Sequence, residues 1–265
     1  MGLNDRIIHH LKLICGNIPI VLLVGPPFSG KSFLILRLYR YIREMGYSVS
    51  VDTDFLVDSE WYKEYVENFM HNIYRDKTYL HGYEYPFLFK INMSGRNICY
   101  ILDVPGYFFT DNVTHSDFMF YLSKITNPII WALVVDISEE GNGLEKQIVN
   151  EIEDRIHKKI IDPRNVIIVC NKIDRESYLF HDGRIVNRIL YQMLTDRYES
   201  LSRLLQNSSI FSFLFPFKCK VVPFMSYYFD EICGTREWRI TRSSNRYPND
   251  LWNEMLKLIR KIQWN

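Results

Sequence analysis

The 265-residue chain has no apolar stretch long enough to cross a bilayer: its longest, from Pro128 to Val135, ends after eight residues. It also has no excess of one charge. Its 32 basic and 31 acidic residues leave a net +1, so no global field draws it to nucleic acid or to a membrane surface. Its five cysteines (15, 99, 170, 219 and 233) include no C-x-x-C pair, which argues against a zinc site and for reduced thiols in a cytoplasmic setting. No apolar leader is expected, because Asp5 and Arg6 sit where one would begin. Residue 6 is not the Ser or Thr that myristoylation favours, and no prenylation cysteine stands near Asn265. There is no internal repeat and no low-complexity tail. With 47% hydrophobic residues, the chain is expected to bury a full core as one domain over 1–265.

What is present is concentrated in three short stretches. The first follows Ile18-Pro-Ile-Val-Leu-Leu-Val24, an apolar, β-branched run that reads as a buried strand. It enters Gly25-Pro-Pro-Phe-Ser-Gly30-Lys31-Ser32 and leaves on an amphipathic helical pattern that ends near Gly46. Strand, G-x-x-x-x-G-K-S, helix is the context of a phosphate-binding loop. Gly25 gives the turn. Pro26 and Pro27 have no N–H, so the backbone donors are expected from Phe28, Ser29, Gly30, Lys31, Ser32 and Phe33, at a helix end that adds partial positive charge. Lys31 is suited to bridge the β- and γ-phosphates, and the Ser32 hydroxyl to ligate Mg²⁺. No second such loop occurs.

The second stretch is Asp103-Val-Pro-Gly106. It closes an expected β-hairpin, Phe87–Met93 and Asn97–Leu102 around Ser94-Gly95. An acid at that strand end suits Mg²⁺, and a glycine amide three residues on suits a γ-phosphate, so that the loop moves when the phosphate leaves.

The third is Asn171-Lys172-Ile173-Asp174, after the buried strand Asn165–Cys170. Guanine offers two donors, N1–H and the exocyclic amine, and one carboxylate accepts both. Adenine offers the opposite pattern. Asp174 is therefore the expected specificity residue. Asn171 is its partner at guanine N7 and the local backbone, and Lys172 a stem over sugar and base.

These motifs, in this order, resemble the GTPase superfamily of Ras-like proteins and translation factors (the TRAFAC class). Motif matches cover fewer than twenty residues of a resemblance running from Ile18 to the C-terminus. It implies an α/β, three-layer P-loop GTPase fold: a mostly parallel central sheet with one antiparallel hairpin strand and helices on both faces. It implies GTP/GDP and Mg²⁺ as ligands, hydrolysis of GTP to GDP, a switch role, and a protein effector or regulator at the switch regions, with nucleic acid not expected. It further implies a switch threonine on Mg²⁺, for which Thr78 is best placed, and a base-contacting serine after the last strand, matched by Ser226 in Val221-Val-Pro-Phe-Met-Ser226. The expected catalytic set is then Lys31, Thr78 and Gly106, and the metal set Ser32, Thr78 and Asp103.

Departures matter as much. Tyr107 stands where many Ras-like enzymes carry the glutamine that orients water, so slow turnover without a partner is expected. His81 is a candidate substitute, although a plain loop histidine is the commoner case. Lys31 and Asp103 are 72 positions apart. The insert at about 54–80 carries Trp61, Tyr62, Tyr65, Phe69 and Tyr74 at helical spacing, more often core than interface. A late Thr78 after a long insert is similar to the bacterial double-GTPase group associated with conflict systems.

Other expected elements are an N-terminal helix within 1–17 and helices over Asp117–Ile125, Leu144–Lys159, Arg184–Leu205 and Asp250–Ile262, with a helical region at 176–215 before the last strand. The Phe211–Phe217 cluster is expected to lead into a buried strand, and Arg236, Arg239, Arg242 and Arg246 to surround Trp238 in a solvated loop. Two alternatives stay open: a GTP sensor with little hydrolysis, motivated by Tyr107, and a P-loop nucleotide or small-molecule kinase, motivated by the acidic strand Val49-Ser-Val-Asp-Thr-Asp54.

Overall fold

The computed structural model describes residues 3–56, 60–74, 77–79, 85–109, 112–138, 143–181, 184–185, 187–199, 219–225, 229–231, 237–240 and 245–264. The chain opens with helix α1 (Leu3–His10), strand β1 (Ile20–Val24), α2 (Lys31–Glu44) and β2 (Ser48–Val51). The insert contributes α3 (Glu60–Tyr74) and β3 (Lys77–Tyr79), followed by the hairpin β4 (Phe87–Met93) and β5 (Arg96–Asp103). Next come α4 (Asn112–Lys124), β6 (Ile129–Asp136), α5 (Gly143–His157) and β7 (Val166–Asn171). The remainder holds β8 (Phe180–His181), β9 (Arg184–Ile185), α6 (Asn187–Arg197), β10 (Lys220–Pro223), β11 (Phe229–Glu231), β12 (Glu237–Ile240) and α7 (Arg246–Trp264).

Seven strands form one sheet in the order β10-β7-β6-β1-β5-β4-β2. All run the same way except β4, which is antiparallel to both neighbours. This is the expected mostly parallel sheet with one reversed hairpin strand. The reversal is set by two consecutive left-handed residues, Ser94 (φ 51°) and Gly95 (φ 76°), the backbone that tight hairpins require.

Every residue of β1 and of β7 is buried, as strands covered on both faces must be. On one side α2 packs with α7, where Tyr41 Oη donates to Asn249 Oδ1 at 2.6 Å and Trp252 meets Tyr47 edge-on at 5.4 Å. In a separate helix group α4 packs on α1, with Tyr121 Oη donating to Lys12 O at 2.6 Å. The same helix reaches α5 through His115 Nε2, 2.6 Å from a Glu151 carboxylate oxygen.

The insert helix α3 turns part of its aromatic stripe into the core, and its remaining described positions are mostly exposed. Tyr62 and Phe69 are buried, and the Phe69 ring lies 4.0 Å from that of Phe87. Tyr62 Oη donates to Pro86 O at 2.9 Å. Trp61, against Tyr85 at 4.6 Å, stays half exposed. This packing pins the start of β4, where Phe87 is the register partner of Asp103.

Three expectations change. The helix expected over Arg184–Leu205 begins only at Asn187, because Arg184 and Ile185 pair with Phe180 and His181 in a two-stranded sheet; it breaks after Arg197, and positions 200–205 lie outside the described residues. The helix expected from Asp117 starts at Asn112, five residues earlier. Its polar opening turn hid it: Thr114 is fully buried and His115 meets Glu151 from another helix. The arginine-rich loop contains β12, so Trp238 and Arg239 are strand residues, and Arg246 opens α7. Phe211–Phe217, His81, Arg236 and Arg242 lie outside the described residues.

Candidate functional site

The three motifs share one edge of the sheet, the carboxyl ends of its parallel strands. Gly25 follows β1, Asp103 ends β5, Asn171 ends β7, and Asp136 ends β6 between them. The neighbour of β1 on one side is β5 and on the other β6, so the chain departs from β1 to opposite sides. A crevice at such a switch point is where open α/β sheets take ligands.

The loop between β1 and α2 is curled on itself. Lys31 Nζ donates to Gly25 O at 2.6 Å and to Pro26 O at 2.9 Å, and Ser29 Oγ donates to Pro26 O at 2.9 Å. A Cβ on Gly25 would lie 2.7 Å from Val134 O, so only glycine fits there. Gly30 has φ 83°, and a Cβ on it would come within 2.4 Å of Asn171 Nδ2. Phe28 adopts φ 68°, uncommon for a side chain of its size, and is 79% exposed. Ser32 and Phe33 follow, half buried, in the first turn of α2. Burial lowers the Lys31 ammonium to about 8, against the opposing pull of Asp103.

Asp103 is buried at the end of β5, in register with Leu23 of β1. Burial raises its carboxyl to about 6, partly offset by Lys31. Its Oδ1 is buried with no hydrogen-bond partner among the described residues. A buried carboxylate oxygen left in that state asks for a cation. The oxygen donors at hand, the Asp103 carboxylate and the Ser32 hydroxyl at the helix start, are the hard ligands that Mg²⁺ takes. The residues therefore fit the ion. Gly106 lies against the loop between β1 and α2: a Cβ there would sit 2.2 Å from Pro27 N.

At the other end, Asn171 is fully buried and its Nδ2 donates to Ser29 O at 2.8 Å. Lys172 takes a left-handed conformation (φ 58°) and caps a 3₁₀ turn, Ile173–Arg175, which exposes Asp174. Phe224 N donates to Cys170 O at 2.7 Å and Ile173 N to Phe224 O at 3.4 Å, so the segment after β10 runs beside this turn. Ser226, expected on that segment, lies outside the described residues.

Thr78 is less directly joined to this edge. Its backbone sits in β3, opposite Trp238 of β12, in the separate sheet β11-β12-β3. Its side chain lies outside the described residues. Tyr107 is half buried, with its ring 4.8 Å from that of Phe108.

Sequence reasoning missed Asp136 except as the close of a strand. Its Oδ2 is ion-paired with Lys172 Nζ, while Oδ1 accepts from Ser138 N at 2.9 Å and Ser138 Oγ at 2.7 Å. Buried Glu145 of α5 accepts from Asp136 N at 2.7 Å. The signal was there: an Asp ending an apolar run, as Asp103 does.

No protein-family model matches the chain, and its sequence matches no curated protein. Among solved structures it is similar to a nucleolar GTP-binding protein 1 from Plasmodium falciparum, at 16% identity and TM-score 0.40, over 92% of this chain and 89% of that one. A GTP-binding protein from Sulfolobus solfataricus in complex with GDP gives 17% identity and TM-score 0.42, over 92% of this chain and 53% of that one. A bacterial selenocysteine-specific elongation factor gives 13% and 0.41, over 93% and 29%. Likenesses this distant carry no argument about the site, which is read from its own residues.

Proposed function

We infer that the chain, as a single G domain over 1–265, binds a guanine nucleotide with Mg²⁺ along this edge and hydrolyses GTP to GDP as a nucleotide-dependent switch. One observation carries the reading: the Asn171 amide is bonded to the Ser29 carbonyl. Motifs 142 residues apart in sequence are thereby fused into one continuous ligand site, with a phosphate cradle at one end and a carboxylate for the base at the other.

In this reading the loop amides from Phe28 to Phe33 and the Lys31 ammonium hold the phosphates. Lys31 is held in the loop by Gly25 O and Pro26 O, bonds that it exchanges for phosphate oxygens when the nucleotide binds. Ser32, Asp103 and Thr78 would hold Mg²⁺. Bound there, the ion would neutralise charge gathering on the phosphate oxygens. Gly106 senses the γ-phosphate through its amide, and Asp174 accepts both guanine donors while Asn171 steadies the turn. Ser226 is the remaining base contact. In hydrolysis, water forms a bond to the γ-phosphorus, the bond from that phosphorus to the bridging oxygen breaks, and GDP and phosphate leave. The working compartment is cytoplasmic, and the switch loops address a protein effector or regulator.

A second reading, a GTP sensor with little turnover, is favoured by Tyr107, an aromatic where a water-orienting amide would serve. Single-turnover hydrolysis of radiolabelled GTP in Mg²⁺, with binding measured in parallel, separates the two. Slow phosphate release that is lost in Lys31→Ala supports hydrolysis; tight binding with no release supports the sensor; no binding contradicts both. The kinase reading weakens, since the acidic segment that motivated it ends the edge strand β2, three strands from β1, and its Asp52 is ion-paired with Lys90 at 2.9 Å.

A further inference from the structure

We propose that Asp136 is a positioning residue of the base site: through the Asp136–Lys172 ion pair it holds the Lys172 stem across the crevice, between the base turn and the phosphate loop. The inference rests on the guanine-nucleotide reading above and adds to it a residue that none of the three motifs contains.

Four observations converge. Asp136 is the register partner of Asn171, so its carboxylate leaves the sheet edge beside the base turn, 36 residues away in sequence. Lys172 adopts a left-handed backbone that side chains rarely take, and such strain persists where the surroundings enforce it. The ion pair to Asp136 is one such enforcement. The Lys172 stem also crosses the phosphate loop: its Cε would lie 3.7 Å from a Cβ built on Gly30. Finally, Asp136 is itself fixed from several directions. Its Oδ1 takes both bonds from Ser138, its backbone N–H is held by Glu145 of α5, and Arg197 of α6 donates to the carbonyl of the next residue, Ile137. A carboxylate buried and held this way is worth more than an exposed partner, because its position costs little further ordering.

A lysine stem laid over a sugar and base acts by contact, and contact depends on where its far end is anchored. Removing the anchor while keeping the lysine should therefore loosen the nucleotide without altering which base is read, since Asp174 is untouched.

The experiment is the dissociation rate of a fluorescent GDP analogue in Mg²⁺ from wild type, Asp136→Asn, Lys172→Met, the double variant and Ser138→Ala. Met keeps an apolar stem and removes the charge. We expect Asp136→Asn and Lys172→Met each to release GDP about tenfold faster, the scale of one charge-assisted contact. The double variant should be no faster than either single one. Ser138→Ala, which leaves the Asp136 charge in place, should show a smaller rise that disappears in the Lys172→Met background. The preference for GDP over the xanthine diphosphate should stay at its wild-type value in all of them. Rates that multiply in the double variant, rates that merely track melting temperature, or wild-type release from Asp136→Asn would overturn the positioning role while leaving the nucleotide site standing. A wild-type protein that binds no guanine nucleotide would overturn the proposed function and this role with it.

Discussion

Gly106 is laid so close to Pro27 that a single methyl group would not fit between them: a Cβ on Gly106 would stand 2.2 Å from the Pro27 nitrogen and 2.6 Å from the Pro26 carbonyl carbon. The loop that follows Asp103 and the loop that precedes Lys31 are thus in backbone contact. Anything that enters between them, a terminal phosphate included, must move one of them. That contact gives the proposed switch its mechanical form.

Gly106→Ala should therefore force the two loops apart. Both neighbours at the clash are backbone, so the strain cannot be relieved by rotating a side chain. The expected loss is about 1–3 kcal/mol of stability in the nucleotide-free protein. The ratio of GTP to GDP affinity should fall toward one. Thermal melts and titrations with both nucleotides read the two effects separately.

Asn171→Ala should damage a different quantity. It removes the donor to Ser29 O in a fully buried setting and leaves that carbonyl unpaired, at a cost of about 1–3 kcal/mol. Because the bond couples base turn to phosphate loop, GTP and GDP should weaken together and their ratio hold. A changed ratio would mean that Asn171 acts at the switch instead.

Asp103→Asn should stabilise the empty protein while it disables the loaded one. The folded carboxyl, raised to about 6 from 3.8, binds its proton more tightly than the unfolded chain does. Stability of the nucleotide-free protein thus falls as pH rises from about 4 through 6, and the full penalty is present at pH 7. A shift of this size corresponds to ~3 kcal/mol. The variant should melt higher than wild type at pH 7 without Mg²⁺, with the gap closing near pH 4. Its nucleotide affinity should lose its Mg²⁺ dependence.

How much of this was legible in the sequence follows a physical line. The loop between β1 and α2, the hairpin and the turn after β7 were readable as elements because each is a contiguous run set by local spacing. The reversed β4 was readable too, since Ser94-Gly95 carries the turn geometry in two residues. The ion pair of Asp136 with Lys172 was not. Its partners are 36 residues apart and meet only because β6 and β7 are adjacent in register. The early start of α4 was hidden for the same reason, as Thr114 and His115 look like surface residues until α5 is folded against them. Arg184 and Ile185 fitted a helical count, yet a two-residue pairing with Phe180 and His181 took them first. Thr78 shows the limit of spacing: its position in the chain suits a switch threonine, while its strand pairing with Trp238 depends on a segment 160 residues later.

The central claim is that Asp174 reads guanine, and nucleotide affinity in Mg²⁺ tests it directly. GTP, GDP, ATP and XTP are titrated against wild type and Asp174→Asn. Wild type should prefer GTP and GDP. In the variant, one acceptor becomes a donor amide, so GTP should weaken by roughly a hundredfold while XTP, with a carbonyl at that position, gains. A wild type that prefers ATP or ignores the base, or a variant that still prefers GTP, would contradict it.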